Sequence, residues 1–495
     1  MALPTAIFST AQVRELDDHA IVKLGIPGYA LMKRAGEAAL RILRTRWPMA
    51  DRIVIACGGG NNAGDGYVLA RFAQAAGLKV TVLSALDPAA LRGDALRAYE
   101  DCVASAKPPV VRGFSAEALR DADVVVDALL GTGLKGEVRE PLLAAIAAIN
   151  QCGKPVFALD IPSGLSGDTG FPLAAAVRAD CTVSFVGLKT GLFLGDGPEY
   201  CGTLFFDDLE VTPPHSPGFT PALTRLLESE VAQALPRRPR AAHKGSFGRV
   251  LIIGSGPSMP GATRLAGEAA LRVGAGLVSV AAAPESALAI AAGRPELIVH
   301  ALADPAGVSE LLARADVAVI GPGLGRSRWA QRLLAHTLEW RGPTILDADA
   351  LNLIAESGAK PRDNWILTPH PGEAARLLES TTSAVQLDRL AALRQLLSRY
   401  GGVCVLKGAG TLIGALGHGA AICERGNPGM AAPGMGDVLT GAIAGILAQV
   451  RDPWVATRVG VLVHAMAGDA QVRQGERGVL ASEVAHELRT WVNLQ

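Results

Sequence analysis

Apolar and polar positions along the chain alternate between two patterns. Short runs rich in Val, Ile and other strand formers occupy residues 53–57, 79–84, 123–130, 155–160, 181–185 and 203–206, separated by Ala-rich stretches with helical spacing. Buried runs alternating with helices predict a parallel sheet covered on both faces, because each parallel neighbour needs a crossover helix. Ahead of them, Ser9 followed by Gln12 is a capping-box signature, and Val13, Leu16 and Ala20 continue at helical spacing. A helix therefore leads into the sheet.

The rhythm stops between residues 211 and 240, where Pro213, Pro214, Pro217, Pro221, Pro236 and Pro239 surround one helical stretch near residues 223–235. It resumes with runs at 249–253, 277–282, 317–320, 344–347, 365–367 and 403–406, and ends in helices from Asp437 onward. A Pro-rich break between two strand–helix series marks a boundary. We place the domains at residues 1–215 and 222–495.

Composition agrees with this division. A chain of 495 residues, 49% hydrophobic and with 57 Gly, is long enough for two helix–sheet cores. Lys plus Arg and Asp plus Glu number 47 each, without a long block of either sign, so no nucleic-acid partner is expected. Seven Cys without a CxxC pair argue against a disulfide framework or a zinc site, and a reducing cytoplasm is expected. The longest apolar stretch, near residues 439–450, is too short to span a bilayer, so no membrane association is expected.

The candidate chemistry sits where strands end. In the first half, the run 53–57 enters a turn containing Gly60, Asn61, Asn62, Ala63, Gly64, Asp65 and Gly66, and glycine there lets backbone N–H groups approach an anion at a helix start. Three polar side chains exceed what a flexible turn requires. Asp127 precedes Gly131-Thr132-Gly133, and Asp160 precedes Ser163-Gly164. The oxygens of Asn62, Asp127 and Ser163 suit a hard, weakly charged cation. Lys189 reads equally as a phosphate contact or acid and as a solvated surface lysine.

In the second half, Gly434-Met435-Gly436-Asp437 precedes an apolar helix. Such a turn offers free N–H groups to phosphate, and an Asp in the first turn can take a proton from an attacking hydroxyl, the alternative being a simple helix cap. Lys407-Gly408-Ala409-Gly410-Thr411 forms a second turn able to cup a nucleotide, though its spacing is not that of a Walker loop. His370, between two prolines, is either a rigid loop element or part of a substrate pocket.

On these motifs, with His243-Lys244-Gly245 and residues 321–325, the chain resembles the bifunctional NAD(P)H-hydrate repair enzymes over nearly its whole length. The resemblance implies an α/β protein with an N-terminal Rossmann-like parallel sheet and a C-terminal ribokinase-like domain. The first domain would epimerise the R and S hydrates of NADH and NADPH, and the second would dehydrate the S form with ADP, or ATP, as co-substrate.

It further implies that Asn61, Asn62, Ala63, Gly64, Asp65, Gly131, Thr132, Gly133, Leu134, Lys135, Gly136, Glu137 and Asp160 hold the hydrate in the epimerase domain. Asn62, Asp127 and Ser163 would bind potassium there. In the dehydratase domain Ala262, Gly325, His370 and Asp437 would face the hydrate. Lys407, Gly408, Ala409, Gly410, Thr411 and Gly436 would hold the adenine nucleotide. Asp437, Asp160 and Lys189 are the catalytic candidates, magnesium is implied beside the nucleotide, and a homo-oligomer is expected.

Two departures from the family pattern are Lys33, where Glu is expected, and Ala432-Pro433, where Ser/Thr-Gly is expected. A small-molecule kinase fused to a non-catalytic nucleotide-binding module is the rival reading.

Overall fold

A computed structural model describes residues 3–134, 136–213 and 219–494. The chain divides into two compact units, Met1–Leu223 and Thr224–Gln495.

The first unit is built on a seven-stranded parallel sheet. Its order is Val110–Gly113, Lys79–Ser84, Arg52–Cys57, Val124–Ala128, Val156–Leu159, Cys181–Phe185 and Thr203–Asp207. From Arg52–Cys57 the chain moves to one edge, then returns at Val124–Ala128 and moves to the other. That reversal opens a crevice beyond the carboxyl ends of Cys57 and Ala128, where α/β sheets bind ligands.

Helix Asn61–Ala75 crosses the sheet closely, since a Cβ on Gly66 would come within 2.7 Å of Ala128 Cβ. A Cβ on Gly58 would lie 2.0 Å from Leu129 O, so only glycine lets the two turns meet. The capping box forms as read, with Ser9 and Gln12 closing helix Thr10–Asp18. Strand Ala6–Phe8 pairs in parallel with Leu188–Lys189, Phe8 opposite Lys189, which fixes where that helix begins.

The second unit repeats the logic with a mixed sheet. Its order is Ile298–Ala301, Leu277–Ala282, Arg249–Ile253, Val317–Ile320, Thr344–Leu346, Trp365–Leu367, Val403–Leu406, Thr411–Ala415, Gly419–Cys423 and Leu223–Arg225. All pairs are parallel except those of the hairpin Thr411–Ala415 and Gly419–Cys423 and its neighbour Val403–Leu406. Here the reversal lies between Arg249–Ile253 and Val317–Ile320.

Helix Met435–Val450 is buried almost all round, because Gly441 and Gly445 let it approach the backbone of Ala266 and Ala270. The stretch 223–235, read from sequence as helical, is instead strand Leu223–Arg225 followed by the short helix Ser229–Ala234. Pairing of Thr224 with Ala421 outweighs local helical spacing there.

Candidate active sites

Beyond the switch point of the first sheet lies a cavity of about 700 Å³. Asn61, Asn62, Asp65, Gly131, Thr132, Gly133, Leu134, Asp160 and Lys189 line it. Ala63 and Gly64 are buried behind the first helical turn, Gly64 against Met32, whereas Gly136 and Glu137 are exposed. Lys135 lies outside the described residues.

Hydrogen bonds draw Asn62, Asp127 and Ser163 together at Leu130. Asn62 Nδ2 donates to Leu130 O at 3.0 Å, and Leu130 N donates to Ser163 Oγ at 2.8 Å. Ser163 Oγ donates in turn to Asp127 Oδ1 at 2.5 Å, and Ser163 N donates to Asp127 Oδ2 at 2.8 Å. Burial pushes the fully buried Asp127 carboxyl up to about 6, against the pull of the Ser163 bonds. Asn62 Oδ1 is buried and meets no donor. An orphaned acceptor costs about 1–3 kcal/mol unless a cation or ligand meets it, so this donor set fits a potassium ion.

Lys189 is fully buried, not solvated. Its ammonium donates to Asp160 Oδ1, to Ser184 Oγ at 3.0 Å and to Phe185 O at 3.0 Å, which occupies all three of its hydrogens. Asp160 itself sits at φ +68°, a strained conformation for a non-glycine residue that aims the carboxylate into the cavity rim.

Sequence reasoning missed Asp17, which lines the same cavity from helix Thr10–Asp18. Burial pushes Asp17 up to about 6, with Lys189 opposing and Asp160 adding to the rise. Asp65 is pushed up by burial and by Asp160 and Asp17. The available signal for Asp17 was an acidic pair, Asp17-Asp18, at a helix C-terminus, where the dipole disfavours negative charge.

The second unit holds a cavity of about 410 Å³ lined by Asp347, His370, Glu373, Lys407, Gly408, Gly434, Gly436 and Asp437, among others. Lys407 Nζ donates to Asp347 Oδ1 at 2.8 Å and lies 3.8 Å from Glu373 Oε2, and Thr440 Oγ1 donates to Asp347 Oδ2 at 2.8 Å. Gly434, at φ +87°, is the N-cap of helix Met435–Val450. Asp437 accepts no hydrogen bond among the described residues, so it does not cap the helix. Burial, then the Asp347 charge, push its carboxyl up to about 7, with Lys407 opposing.

His370 combines both sequence readings: its Nδ1 accepts from Gly372 N at 3.0 Å to cap helix Pro371–Leu377, while the half-exposed ring lines the cavity. Burial lowers its pKa, with Glu373 opposing. Ala262 and Gly325 stand at the reversal of the second sheet, where Gly325 N donates to Asp349 Oδ2 at 2.8 Å and Ala262 packs on Gly323.

Neither departure lines a cavity, though Lys33 adjoins Met32 of the first and Pro433 adjoins Gly434 of the second. Lys33 is exposed, 5.5 Å above the Tyr29 ring, and Ala432 packs on the core while Pro433 faces solvent.

Two family models match the chain: one described as YjeF-related protein N-terminus over residues 28–191, and one described as NAD(P)H-hydrate dehydratase over residues 250–490. The chain is 49% identical over 494 residues to the bifunctional NAD(P)H-hydrate repair enzyme Nnr of Coxiella burnetii, covering 99% of this chain and 100% of that one. The chain belongs to the bifunctional NAD(P)H-hydrate repair enzymes. Its activities are accordingly those of an NAD(P)H-hydrate epimerase and an NAD(P)H-hydrate dehydratase.

The repair enzyme Nnr of Escherichia coli is 41% identical over 495 residues, covering 100% of this chain and 95% of that one. Among solved structures, a ribokinase-like superfamily protein of Enterococcus faecalis matches with TM-score 0.51 and 30% identity, covering 56% of this chain and 98% of that one. The two cavities lie in separate compact units, each at the switch point or strand ends of its own sheet.

Proposed function

We propose that the N-terminal site interconverts the R and S hydrates of NADH and NADPH, and that the C-terminal site dehydrates the S hydrate at the expense of ADP, with ATP as a substitute. The observation that carries the dehydratase half is Asp437. Its carboxyl accepts no hydrogen bond among the described residues, its pKa is raised to about 7, and it sits in the first helical turn after Gly434, beside the Lys407–Asp347 pair.

Hydroxide is a poor leaving group. Transfer of the nucleotide's terminal phosphoryl group to the ring hydroxyl makes a phosphate leaving group, which the adjacent ring nitrogen expels. Asp437 takes the hydroxyl proton as that oxygen attacks, and its raised pKa suits a base working near neutral pH. The helix N-terminus at Gly436 and the Lys407–Thr411 turn hold the phosphates. Magnesium would lie against those phosphates. No group of three or more His, Cys, Asp or Glu side chains that could hold a metal ion occurs among the described residues.

In the epimerase domain, assigned to residues 1–215, Asn62, Asp127 and Ser163 hold potassium, and Asn61, Asp65, Gly131–Gly133 and Asp160 hold the hydrate. Potassium would supply positive charge against the substrate's pyrophosphate. Lys189, its three hydrogens engaged, positions Asp160. Residues 222–495 form the dehydratase domain. A cytoplasmic homo-oligomer is part of the proposal, and no helix among the described residues is long and apolar enough to cross a membrane.

Product analysis tests the reading. S hydrate plus ADP should yield NADH, AMP and inorganic phosphate in equal amounts. A stable phosphorylated substrate would instead make the second unit a small-molecule kinase.

A further inference from the structure

Arg389 opens helix Arg389–Tyr400 and is only 5% exposed, yet among the described residues no carboxylate lies within ion-pair distance of it. A buried guanidinium without a counter-ion is costly, and its hydrogen bonds show what it holds. Arg389 donates to the carbonyls of Leu406 at 3.1 Å, Lys407 at 3.3 Å, Ala409, and Gly410 at 3.0 Å. Four carbonyls of one turn thus point inward at a single side chain.

That has a consequence on the other face of the turn. These peptide bonds are trans, so the N–H that shares a plane with each carbonyl points the opposite way. The planes carrying Lys407 O and Ala409 O carry the N–H groups of Gly408 and Gly410, which donate to no protein group among the described residues. Gly408 is at φ +143° and Gly410 at φ +62°, conformations that glycine alone adopts readily, and Gly408 lines the cavity with Asp437. Lys407 N, by contrast, is tied to Pro369 O at 2.9 Å.

We infer that Arg389 is a positioning residue of the nucleotide site: by drawing the turn's carbonyls inward it presents the Gly408 and Gly410 N–H groups to a nucleotide phosphate, and it leaves its positive charge for that phosphate to balance. This rests on the assignment of residues 407–411 to the nucleotide. Burial lowers Arg389 to about 10, so the charge persists at neutral pH. Adenosine, lacking the phosphates, gains nothing from either feature.

The test compares Arg389→Met and Arg389→Lys with the parent full-length protein, measuring ADP binding, inhibition by adenosine, the KM for ADP and for the S hydrate, and epimerisation. Loss of a charged, oriented phosphate site should raise the dissociation constant and KM for ADP by about tenfold or more. The value of kcat, the hydrate KM, adenosine inhibition and epimerisation should stay within a few-fold. Lys keeps the charge but cannot hold four carbonyls, so it should weaken ADP to an intermediate degree, and it carries the test if the Met variant does not fold. Parental ADP affinity in a folded variant, or equal weakening of ADP and adenosine, overturns the inference. A parent protein whose dehydration is indifferent to ADP overturns the nucleotide assignment itself.

Discussion

Lys407 Nζ lies 2.8 Å from Asp347 Oδ1, and this pair sets the local charge against which Asp437 must ionise. Asp347 raises the Asp437 pKa and Lys407 lowers it, but burial is the larger influence. The base of the proposed dehydration is therefore tuned by two neighbours that need not touch the substrate's hydroxyl.

Asp437→Asn should leave folding nearly intact and remove the base. General-base catalysis is worth about a hundred- to ten-thousand-fold, and the S-hydrate dehydration rate should fall by that order. Epimerisation by the same protein is the control. Dehydration within a few-fold of the parent would move the base elsewhere in the cavity, to His370 first.

The pH dependence follows with a definite sign. Only ionised Asp437 accepts a proton, so dehydration kcat/KM should rise with pH through about 7 and then level. Asp347→Asn removes the charge that raises Asp437 and leaves Lys407 less compensated, so the midpoint should move to lower pH. A rate profile whose midpoint stays in place or moves up contradicts this assignment.

Stability should move in the opposite sense. The folded pKa of Asp437 lies above its ordinary value of 3.8, so its contribution to stability is greatest below that value and is lost as pH rises toward about 7. Asp437→Asn should therefore be at least as stable as the parent at pH 8 in thermal or urea unfolding. Marked destabilisation of the variant at that pH would show a structural role that the geometry lacks.

Much of this was legible in the sequence, and the gaps have physical causes. Strands Lys79–Ser84, Cys181–Phe185, Arg249–Ile253 and Val317–Ile320 are buried runs with a strong apolar signal, and they stand where their patterns place them. Edge strands Val110–Gly113 and Ile298–Ala301 are half-exposed and carry little such signal. Half of the residues in the hairpin strands Thr411–Ala415 and Gly419–Cys423 are Gly or Ala, which have weak strand preference. Asn62, Asp127 and Ser163 could be found because each closes or follows a strand, and Asp437 because a glycine turn precedes an apolar helix there. Asp17 sits on a helix far away in sequence and Arg389 on a helix 18 residues before Lys407, and only tertiary folding brings them to the sites.

Asp127→Ala should abolish the potassium dependence of epimerisation and weaken hydrate binding in the N-terminal domain, because it removes the carboxylate that organises Ser163 and Leu130. The check is the epimerisation rate against potassium concentration, with sodium or lithium holding ionic strength. An unchanged potassium response would place the ion elsewhere.

The two activities should separate physically. A fragment beginning near Thr220 keeps strand Leu223–Arg225, whose Thr224 and Arg225 pair with Ala421 and Ile422, and keeps Glu230 for its ion pair with Arg458 at 2.7 Å. It should fold and dehydrate only the S hydrate. Consumption of both epimers at the full-length rate would assign epimerisation to the wrong unit.

The most direct measurement is to give the full-length protein a mixture of R and S NADH hydrates, with and without ADP, and follow dihydronicotinamide absorbance. With ADP the whole mixture should return to NADH, at a rate exceeding spontaneous epimerisation, and without ADP none should. A plateau at the S fraction would deny the epimerase, and full recovery without any nucleotide would deny the nucleotide-dependent dehydratase.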